Sequence, residues 1–167
     1  CIRDRTILGT SDIHDIVDWQ YRIPSGGHRP VTLVFAREKN EKALKKALLN
    51  GQTVVWYDKK LIGKSDHLLP LINSSLEIES AHYIKGTTIA HVVVSNNSDA
   101  PYTMRNQSEY DFYNATNLIT IPPHGSTVID VRTLTKKRKF ELQFEVLNAL
   151  VKPDTHPLFR IVVRPKQ

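Results

Sequence analysis

The chain has 167 residues and a mass of 19.1 kDa, with 40% hydrophobic and 24% charged residues. This apolar fraction can fill a core, so the composition excludes a wholly disordered protein. The single cysteine excludes an internal disulfide framework and a zinc site built from several cysteines. No stretch approaches the roughly 18 to 20 apolar residues of a membrane span, so we expect none.

The formal charge of +6 is compatible with a polyanionic partner. Its densest basic run, however, is the four residues Lys136 to Lys139 between two predicted strands. Such a run has the form of a solvated hairpin tip, and neither zinc-finger spacing nor an RNA-binding aromatic pattern accompanies it. We therefore expect no nucleic-acid partner, although a basic nucleic-acid-binding protein stays as a third hypothesis.

The start of the chain, Cys1 to Arg5, has neither a methionine nor the apolar stretch of a signal peptide. These five residues look like an unrelated scar, such as a cloning or assembly remnant, and are left out of the fold prediction. We expect the remaining chain to be part of a longer protein.

In residues 6–76, strand-like and helix-like segments alternate. The predicted elements are a short strand Thr6–Thr10, a nearly all-apolar strand Val31–Ala36, a helix Glu41–Asn50, a strand Gln52–Tyr57, and a short helix from Ser65 to Ser75. This alternation is typical of βαβ units, so we expect Val31–Ala36 and Gln52–Tyr57 to lie parallel and to be buried on both faces. A complete α/β barrel needs about 200 residues or more, so this part is either a very small sheet of its own or the last section of a larger one.

The predicted helix Glu41–Asn50 has signals at both ends. Asn40 can cap its first turn, and Gly51 stands where a C-terminal cap belongs. A stripe of Ala43, Leu44, Ala47 and Leu48 gives it one apolar face.

In residues 77–167, apolar residues alternate at a period of two, with turn residues between the runs. The predicted strands are Leu76–Ile84, Thr87–Ser95, Ala100–Arg105, Asn117–Ile121, Ser126–Thr133, Lys139–Leu150 and Leu158–Arg164. Seven short strands of this kind predict an antiparallel, immunoglobulin-like β-sandwich. The fold class expected for the whole chain is thus α+β in two parts, with a partial α/β remnant (6–76) before the sandwich (77–167).

The sequence Gly9-Thr10-Ser11-Asp12-Ile13-His14 follows the first predicted strand. In extended backbone, residues two apart share a face, so Asp12 and His14 are expected to project together at the carboxyl end of that strand. Functional sites of α/β sheets and barrels are built at that end. A carboxylate and an imidazole are suitable ligands for a divalent metal, which makes this pair the candidate metal site.

This motif resembles the last metal-binding motif of the polymerase and histidinol phosphatase (PHP) superfamily. The segment from His28 to Ala36, and the later Ala43-Leu44 with Asn50-Gly51-Gln52-Thr53-Val54-Val55, also resemble the strand, helix and strand that close such chains. The likeness is strongest to a bacterial phosphodiesterase-like branch with a C-terminal β-sandwich. Residues 6–63 carry the specific part of this resemblance, and the sandwich matches by pattern alone.

The resemblance implies a distorted α/β barrel that holds two or three divalent metal ions, such as Zn, Mn or Fe, and hydrolyses phosphate mono- or diesters. Such metals lower the pKa of a bound water, orient the phosphate and stabilise the leaving oxygen. Asp12 and His14 carry over as metal ligands. The other ligands of the family come from an N-terminal His-x-His and from the middle of the barrel, and this sequence contains neither segment. The chain alone is therefore expected to be inactive.

His28 and Arg29 lie in the loop after the motif, where an arginine can clamp a substrate phosphate. A loop arginine that makes a surface ion pair is the alternative explanation. Exposed aromatics are expected at Tyr102, Tyr110, Phe112 and Tyr113, which could bind a sugar or a partner, or else cap the sandwich or dock on the barrel. Substrate identity and oligomeric state are left open, and so is location, with export to the periplasm or a cytoplasmic site as alternatives.

The main alternative to the hydrolase is a non-catalytic protein. In that case the sandwich would be a binding or interaction module with a small α/β extension, and Asp12 and His14 would be incidental.

Overall fold

The computed structural model describes residues 6–11, 13–14, 16–25 and 27–166. Two compact units are present. The first runs up to Leu69 and includes Ala149–Thr155, and the second comprises Pro70–Asn148 and the chain from His156 onward. The proposed scar and Asp12 lie outside the described residues, so what the sequence predicts of them stays a prediction.

The first unit combines short helices with one small sheet. Its elements are α1 (Val17–Gln20), a 3-10 turn (Ile23–Ser25), β1 (Val31–Val34), α2 (Glu41–Leu49), β2 (Thr53–Tyr57), β3 (Lys60–Gly63) and the start of α3 (Ser65–Ser75). The second unit contains β4 (Leu76–Tyr83), β5 (Ile89–Asn96), β6 (Tyr102–Asn106), β7 (Leu118–Ile121), β8 (Ser126–Arg132) and β9 (Phe140–Val146). The last two strands are β10 (Ala149–Leu150) and β11 (Leu158–Val163).

Helix α2 confirms the signals in its sequence. The side chain of Asn40 accepts a hydrogen bond from the Ala43 amide at 2.8 Å, which satisfies one of the unpaired donors of the first turn. Gly51, with φ of +66°, takes the left-handed conformation that ends the helix. Of the predicted apolar stripe only Ala47 is buried, and Leu44 is exposed.

The predicted parallel arrangement is wrong. β1 and β2 pair antiparallel, with Val31 opposite Trp56 and Val34 opposite Thr53. The Phe35 amide donates to the Gln52 carbonyl at 2.9 Å, so the chain leaves and re-enters the sheet at the same end. Helix α2 is therefore inserted within a β-hairpin and does not form a crossover between parallel strands. β1 is only half-buried along its length.

The sheet of the first unit has the order β1-β2-β3-β10. β3 follows β2 as an antiparallel hairpin, whereas β10 pairs parallel to β3 through Ala149–Leu61 and Leu150–Ile62. The predicted strand Lys139–Leu150 is therefore two strands, and its end joins the sheet of the first unit. β3 itself has no counterpart among the predicted strands.

The second unit is built from an antiparallel sheet β4-β5-β8 and a second antiparallel sheet β11-β9-β6-β7. Ala90, Val92 and Val94 alternate into the core along β5, which confirms the period of two in the sequence. Phe144 and Leu142 of β9 and Met104 of β6 are fully buried in the other sheet. These strands give the chain the mostly β, sandwich-like architecture expected of its second part.

The predicted exposed aromatics divide into two groups. Tyr102, Tyr110 and Phe112 are buried, because the Tyr110 ring packs on Phe140 and the Phe112 ring packs on Phe144. The expectation of exposure is wrong for these three. Tyr113 is exposed as predicted. No described helix is long and apolar enough to cross a membrane.

Candidate functional site

The segment that leads into the candidate metal motif lies against the sheet of the first unit. It forms no strand, contrary to the prediction for Thr6–Thr10. Threonine side chains hold it in place instead: Thr53 Oγ1 donates to the Ile7 carbonyl at 2.8 Å, and Thr6 Oγ1 donates to the Leu48 carbonyl at 2.6 Å. Side-chain hydrogen bonds thus replace the backbone ladder that a strand would make.

Gly9 is the closest point of this segment to the sheet. Its amide donates to Thr32 Oγ1 at 2.9 Å, and the same hydroxyl donates back to the Gly9 carbonyl at 3.2 Å. A Cβ atom at Gly9 would stand 2.6 Å from Cγ1 of Val55. The close approach therefore requires glycine at this position, and the two hydrogen bonds fix the backbone at the first residue of the motif.

His14 is exposed and lies in the chain between the anchored segment and α1. Asp12, its predicted partner, is outside the described residues, so the shared face of the pair stays a prediction. Trp19 on α1 is 79% exposed, and Leu8 and Ile16 also carry large exposed apolar side chains. An apolar surface therefore borders the motif on both sides along the chain.

His28 is held by the hairpin of β2 and β3. Its Nδ1 lies 2.8 Å from the Arg29 carbonyl oxygen, and its Nε2 lies 3.2 Å from the Asp58 carbonyl oxygen. The imidazole packs on the Trp56 indole with ring centroids 4.1 Å apart, and Trp56 Nε1 donates to the same Asp58 carbonyl at 2.9 Å. Both ring nitrogens of His28 thus face backbone carbonyls.

Arg29 follows His28 with an exposed side chain. Its guanidinium could present a bidentate fork of donors to a phosphate. Because the His28 ring contacts the Arg29 carbonyl, the backbone from which this side chain projects is fixed.

A metal site is not complete in the described part of the chain. There, no group of three or more His, Cys, Asp or Glu side chains is placed to hold a metal ion. The residues that the structure describes therefore do not by themselves fit the metal centre implied by the resemblance.

Sequence reasoning missed the residues that position the candidate site. Thr32, Thr53 and Trp56 lie inside predicted strands, and the sequence pattern gives them no role beyond that of strand residues. Trp56 and His28 are 28 positions apart in the chain. A correct hairpin register for β1 and β2 would have placed Thr32 and Thr53 on one face of the sheet, since Thr32 pairs with Val55 and Val34 pairs with Thr53.

A family model described as an Ig-like domain matches residues 76–162, just over half of the chain. The chain belongs to this Ig-like domain family. The match covers the strands β4 to β10 and nearly all of β11, and it agrees with the two antiparallel sheets. No curated protein matches the chain.

A solved structure from Bacteroides vulgatus extends the likeness beyond the Ig-like domain. It is a two-domain protein described as containing a predicted PHP-like metal-dependent phosphoesterase. It is 26% identical to this chain, with a TM-score of 0.81, over 95% of this chain and 46% of its own length. The chain therefore spans less than half of that protein, and the likeness includes the first unit.

Proposed function

We propose that this chain is the C-terminal part of a PHP-type metal-dependent phosphoesterase, in which the first unit completes the catalytic barrel and the Ig-like domain is an accessory. The observation that carries the proposal is the extent of the structural likeness. It covers 95% of the chain, whereas the Ig-like family match starts only at residue 76. A likeness confined to the sandwich would say nothing about the unit that holds the candidate motif.

In this proposal Asp12 and His14 are two ligands of a metal centre whose other ligands lie in the preceding part of the barrel. A bound divalent metal would supply an activated water and charge neutralisation at phosphate. The contribution of this chain is to fix the motif. Thr32 and Thr53 hold the backbone of residues 7–9 against the sheet at 2.8 to 3.2 Å.

Arg29 is the better candidate for substrate phosphate, and His28 is a positioning residue. Both nitrogens of His28 already face the carbonyl oxygens of Arg29 and Asp58. The Arg29 side chain is exposed and carries five donors that match the oxygens of a phosphate.

The test uses the complete reading frame that contains this sequence. Metal content is measured by mass spectrometry, and turnover is measured with p-nitrophenyl phosphate and bis-p-nitrophenyl phosphate. Asp12→Ala and His14→Ala should each lower metal content and reduce turnover by about a hundredfold or more. Asp18→Ala and His124→Ala are matched controls, since Asp18 is an exposed carboxylate on α1 and His124 is an exposed histidine of the sandwich. Metal content and turnover that stay equal in all four variants would contradict the proposal.

The second candidate is a non-catalytic binding module with a small α/β extension. The family match to an Ig-like domain favours it, as does the lack of a three-ligand cluster among the described residues. A complete reading frame that binds no divalent metal and hydrolyses neither ester would favour the module over the phosphoesterase.

A further inference from the structure

A cleft of about 780 Å³ opens on the solvent face of the sheet β4-β5-β8. We call it the basic cleft and define it by the side chains that matter for binding, which are Thr88, Ile89, Tyr113, Arg132, Leu134 and Lys136. Ile89 and Arg132 are cross-strand partners, and their neighbours Ala90 and Val131 are buried in the core. Alternation along the two strands therefore directs Ile89 and Arg132 to the outer face.

The cleft presents large apolar side chains to solvent. Leu134 is 86% exposed and Tyr113 is 59% exposed. Leu134 stands at the centre of a three-residue turn, in which the Thr135 amide donates to the Thr133 carbonyl at 2.6 Å, and its φ is +59°. Left-handed backbone is rare for leucine, and strain of this kind tends to cluster at ligand-binding sites.

Buried contacts hold the exposed leucine in place. Thr133 is buried, and its hydroxyl donates to the Thr88 carbonyl at 2.8 Å. Three residues beyond Leu134, the Lys137 amide donates to the Tyr83 hydroxyl at 2.7 Å. The loop is thus anchored on both sides of Leu134, so the exposure of that side chain is a fixed property of the turn.

Two cations border these apolar groups. The Arg132 guanidinium lies 4.9 Å from the centroid of the Tyr113 ring, and Lys136 Nζ lies 5.7 Å from that of Tyr83. In the described part of the chain no carboxylate forms an ion pair with either cation. The carboxylates of Glu109 and Asp130 pair instead with Lys137 at 3.5 Å and with His91 at 2.8 Å.

We propose that the basic cleft binds a short acidic oligosaccharide. The C–H face of a pyranose ring fits the exposed surfaces of Tyr113 and Leu134, and its carboxylate or sulfate would pair with Arg132 and Lys136. Thr88 also lines the cleft, and its exposed side chain can meet a sugar hydroxyl, whereas the Thr87 hydroxyl already donates to the Ile84 carbonyl and accepts from the Ile89 amide. This inference is independent of the phosphoesterase proposal, because it concerns the Ig-like domain alone.

The arrangement fits an oligosaccharide better than a nucleic acid or a membrane. Nucleic-acid sites need a run of cations that follows a backbone with one charge for about every 1.7 Å of duplex. Of the basic run Lys136 to Lys139 only Lys136 lines the cleft, together with Arg132, and Lys137 pairs with Glu109. Membrane-bound surfaces rest on a broad apolar face, whereas here a single leucine protrudes beside an aromatic ring.

The test titrates the whole chain with three hexasaccharides by isothermal calorimetry at low ionic strength. Hexagalacturonate carries carboxylates alone, a heparin hexasaccharide carries sulfates as well as carboxylates, and maltohexaose is neutral. We expect saturable binding of at least one acidic probe and none of maltohexaose. Binding of hexagalacturonate would show that carboxylates suffice, and binding of the heparin probe alone would show that sulfate is required. Arg132→Gln should weaken binding about tenfold, and Tyr113→Ala should weaken it about fivefold.

Arg160→Gln is the charge-matched control, because Arg160 is an exposed arginine on β11 in the other sheet. It should leave affinity within about twofold of the parent chain.

Leu134→Gly separates an effect on binding from an effect on folding. Glycine accepts a positive φ without strain, so the melting temperature should hold or rise while affinity for the acidic probe falls.

Three results would overturn the proposal. One is that neither acidic hexasaccharide binds. Another is an equal loss of affinity in Arg132→Gln and Arg160→Gln, which would indicate only a general charge effect. The last is tighter binding of duplex DNA or of phosphatidylglycerol vesicles than of either acidic probe, with the same dependence on Arg132.

Discussion

The hydroxyl of Thr32 makes two hydrogen bonds to the backbone of Gly9, accepting from its amide at 2.9 Å and donating to its carbonyl at 3.2 Å. One side chain on β1 therefore fixes both polar groups of a residue that lies 23 positions earlier in the chain. Gly9 is the first residue of the candidate motif and comes three residues before Asp12, so this contact fixes the backbone at the start of the motif.

Thr32→Val should release this segment while it keeps the β-branched shape of the strand residue. Loss of the acceptor removes about 1 kcal/mol, so hydrogen exchange at the Gly9 amide should accelerate about fivefold or more. Thr32→Ser keeps the hydroxyl and should retain the protection of the parent chain. Exchange at Gly9 that is equal in all three proteins would mean that Thr32 does not anchor the segment.

Local signals predicted the elements whose stability is local. The cap at Asn40, the stop at Gly51 and the alternation along β5 depend on residues close in sequence, and the structure has all three. The relation between β1 and β2 depends on where the chain re-enters the sheet after α2. A strand, helix and strand in succession are compatible with a crossover or with a helix inserted in a hairpin. The antiparallel pairing of β1 with β2, which the hydrogen bond from Phe35 to Gln52 extends, decides for the hairpin.

The candidate site shows the same division. The spacing of Asp12 and His14 is visible in the sequence, because two ligand residues stand two positions apart. The sequence does not reveal the anchors of the motif. Thr32 and Thr53 cannot be told from ordinary strand residues unless the pairing register of β1 and β2 is known. The basic cleft likewise joins Tyr113 to Arg132 and Leu134, and pairing of β8 with the segment around Phe112 brings these residues together.

Asn40→Ala should destabilise the first unit by about 1 kcal/mol, because the Ala43 amide loses its acceptor at the start of α2. Urea denaturation followed by hydrogen exchange of the α2 amides measures the change. Asn40→Ser keeps an oxygen acceptor at the cap without placing a second carboxylate beside Glu38, to which the Asn40 amide donates at 2.6 Å, and should remain within about 0.5 kcal/mol of the parent chain. Equal destabilisation by alanine and serine would show that the cap hydrogen bond is not the cause.

Asn96 should be among the most sensitive polar positions of the Ig-like domain. It is 2% exposed, and its amide nitrogen donates to the carbonyls of Ala100 at 2.8 Å and Pro122 at 3.0 Å. Its Oδ1 accepts from the amide and the hydroxyl of Ser98 at 3.0 and 2.8 Å. Asn96→Ala leaves buried partners unpaired and should lower the free energy of unfolding by about 2 to 4 kcal/mol.

The neighbouring Asn97 is the control for this change, since its side chain is exposed. Asn97→Ala should shift the free energy of unfolding by no more than about 0.5 kcal/mol. Chemical denaturation at constant pH measures both variants. A loss at Asn96 as small as that at Asn97 would contradict the assigned role of the buried amide.

Tyr102 should make the domain sensitive to alkaline pH. Its side chain is 1% exposed, and burial raises the pKa of the phenol above its ordinary value, against the lowering effect of hydrogen bonds with Ser75 and Ser98. The folded state therefore keeps the proton at a pH where the unfolded chain loses it. Stability from this group is complete below the usual tyrosine pKa of about 10 and is lost as pH rises toward the raised value.

The free energy of unfolding should therefore fall less steeply above about pH 10 in Tyr102→Phe than in the parent chain. The two slopes should differ by up to about 1.4 kcal/mol for each pH unit. Urea denaturation at a series of pH values from neutral to alkaline measures the slope for each protein. Tyr113→Phe removes an exposed phenol in place of the buried one and is the matched control, which should keep the slope of the parent chain. Parallel curves for the parent chain and Tyr102→Phe would show that the buried phenol does not contribute to the alkaline loss of stability.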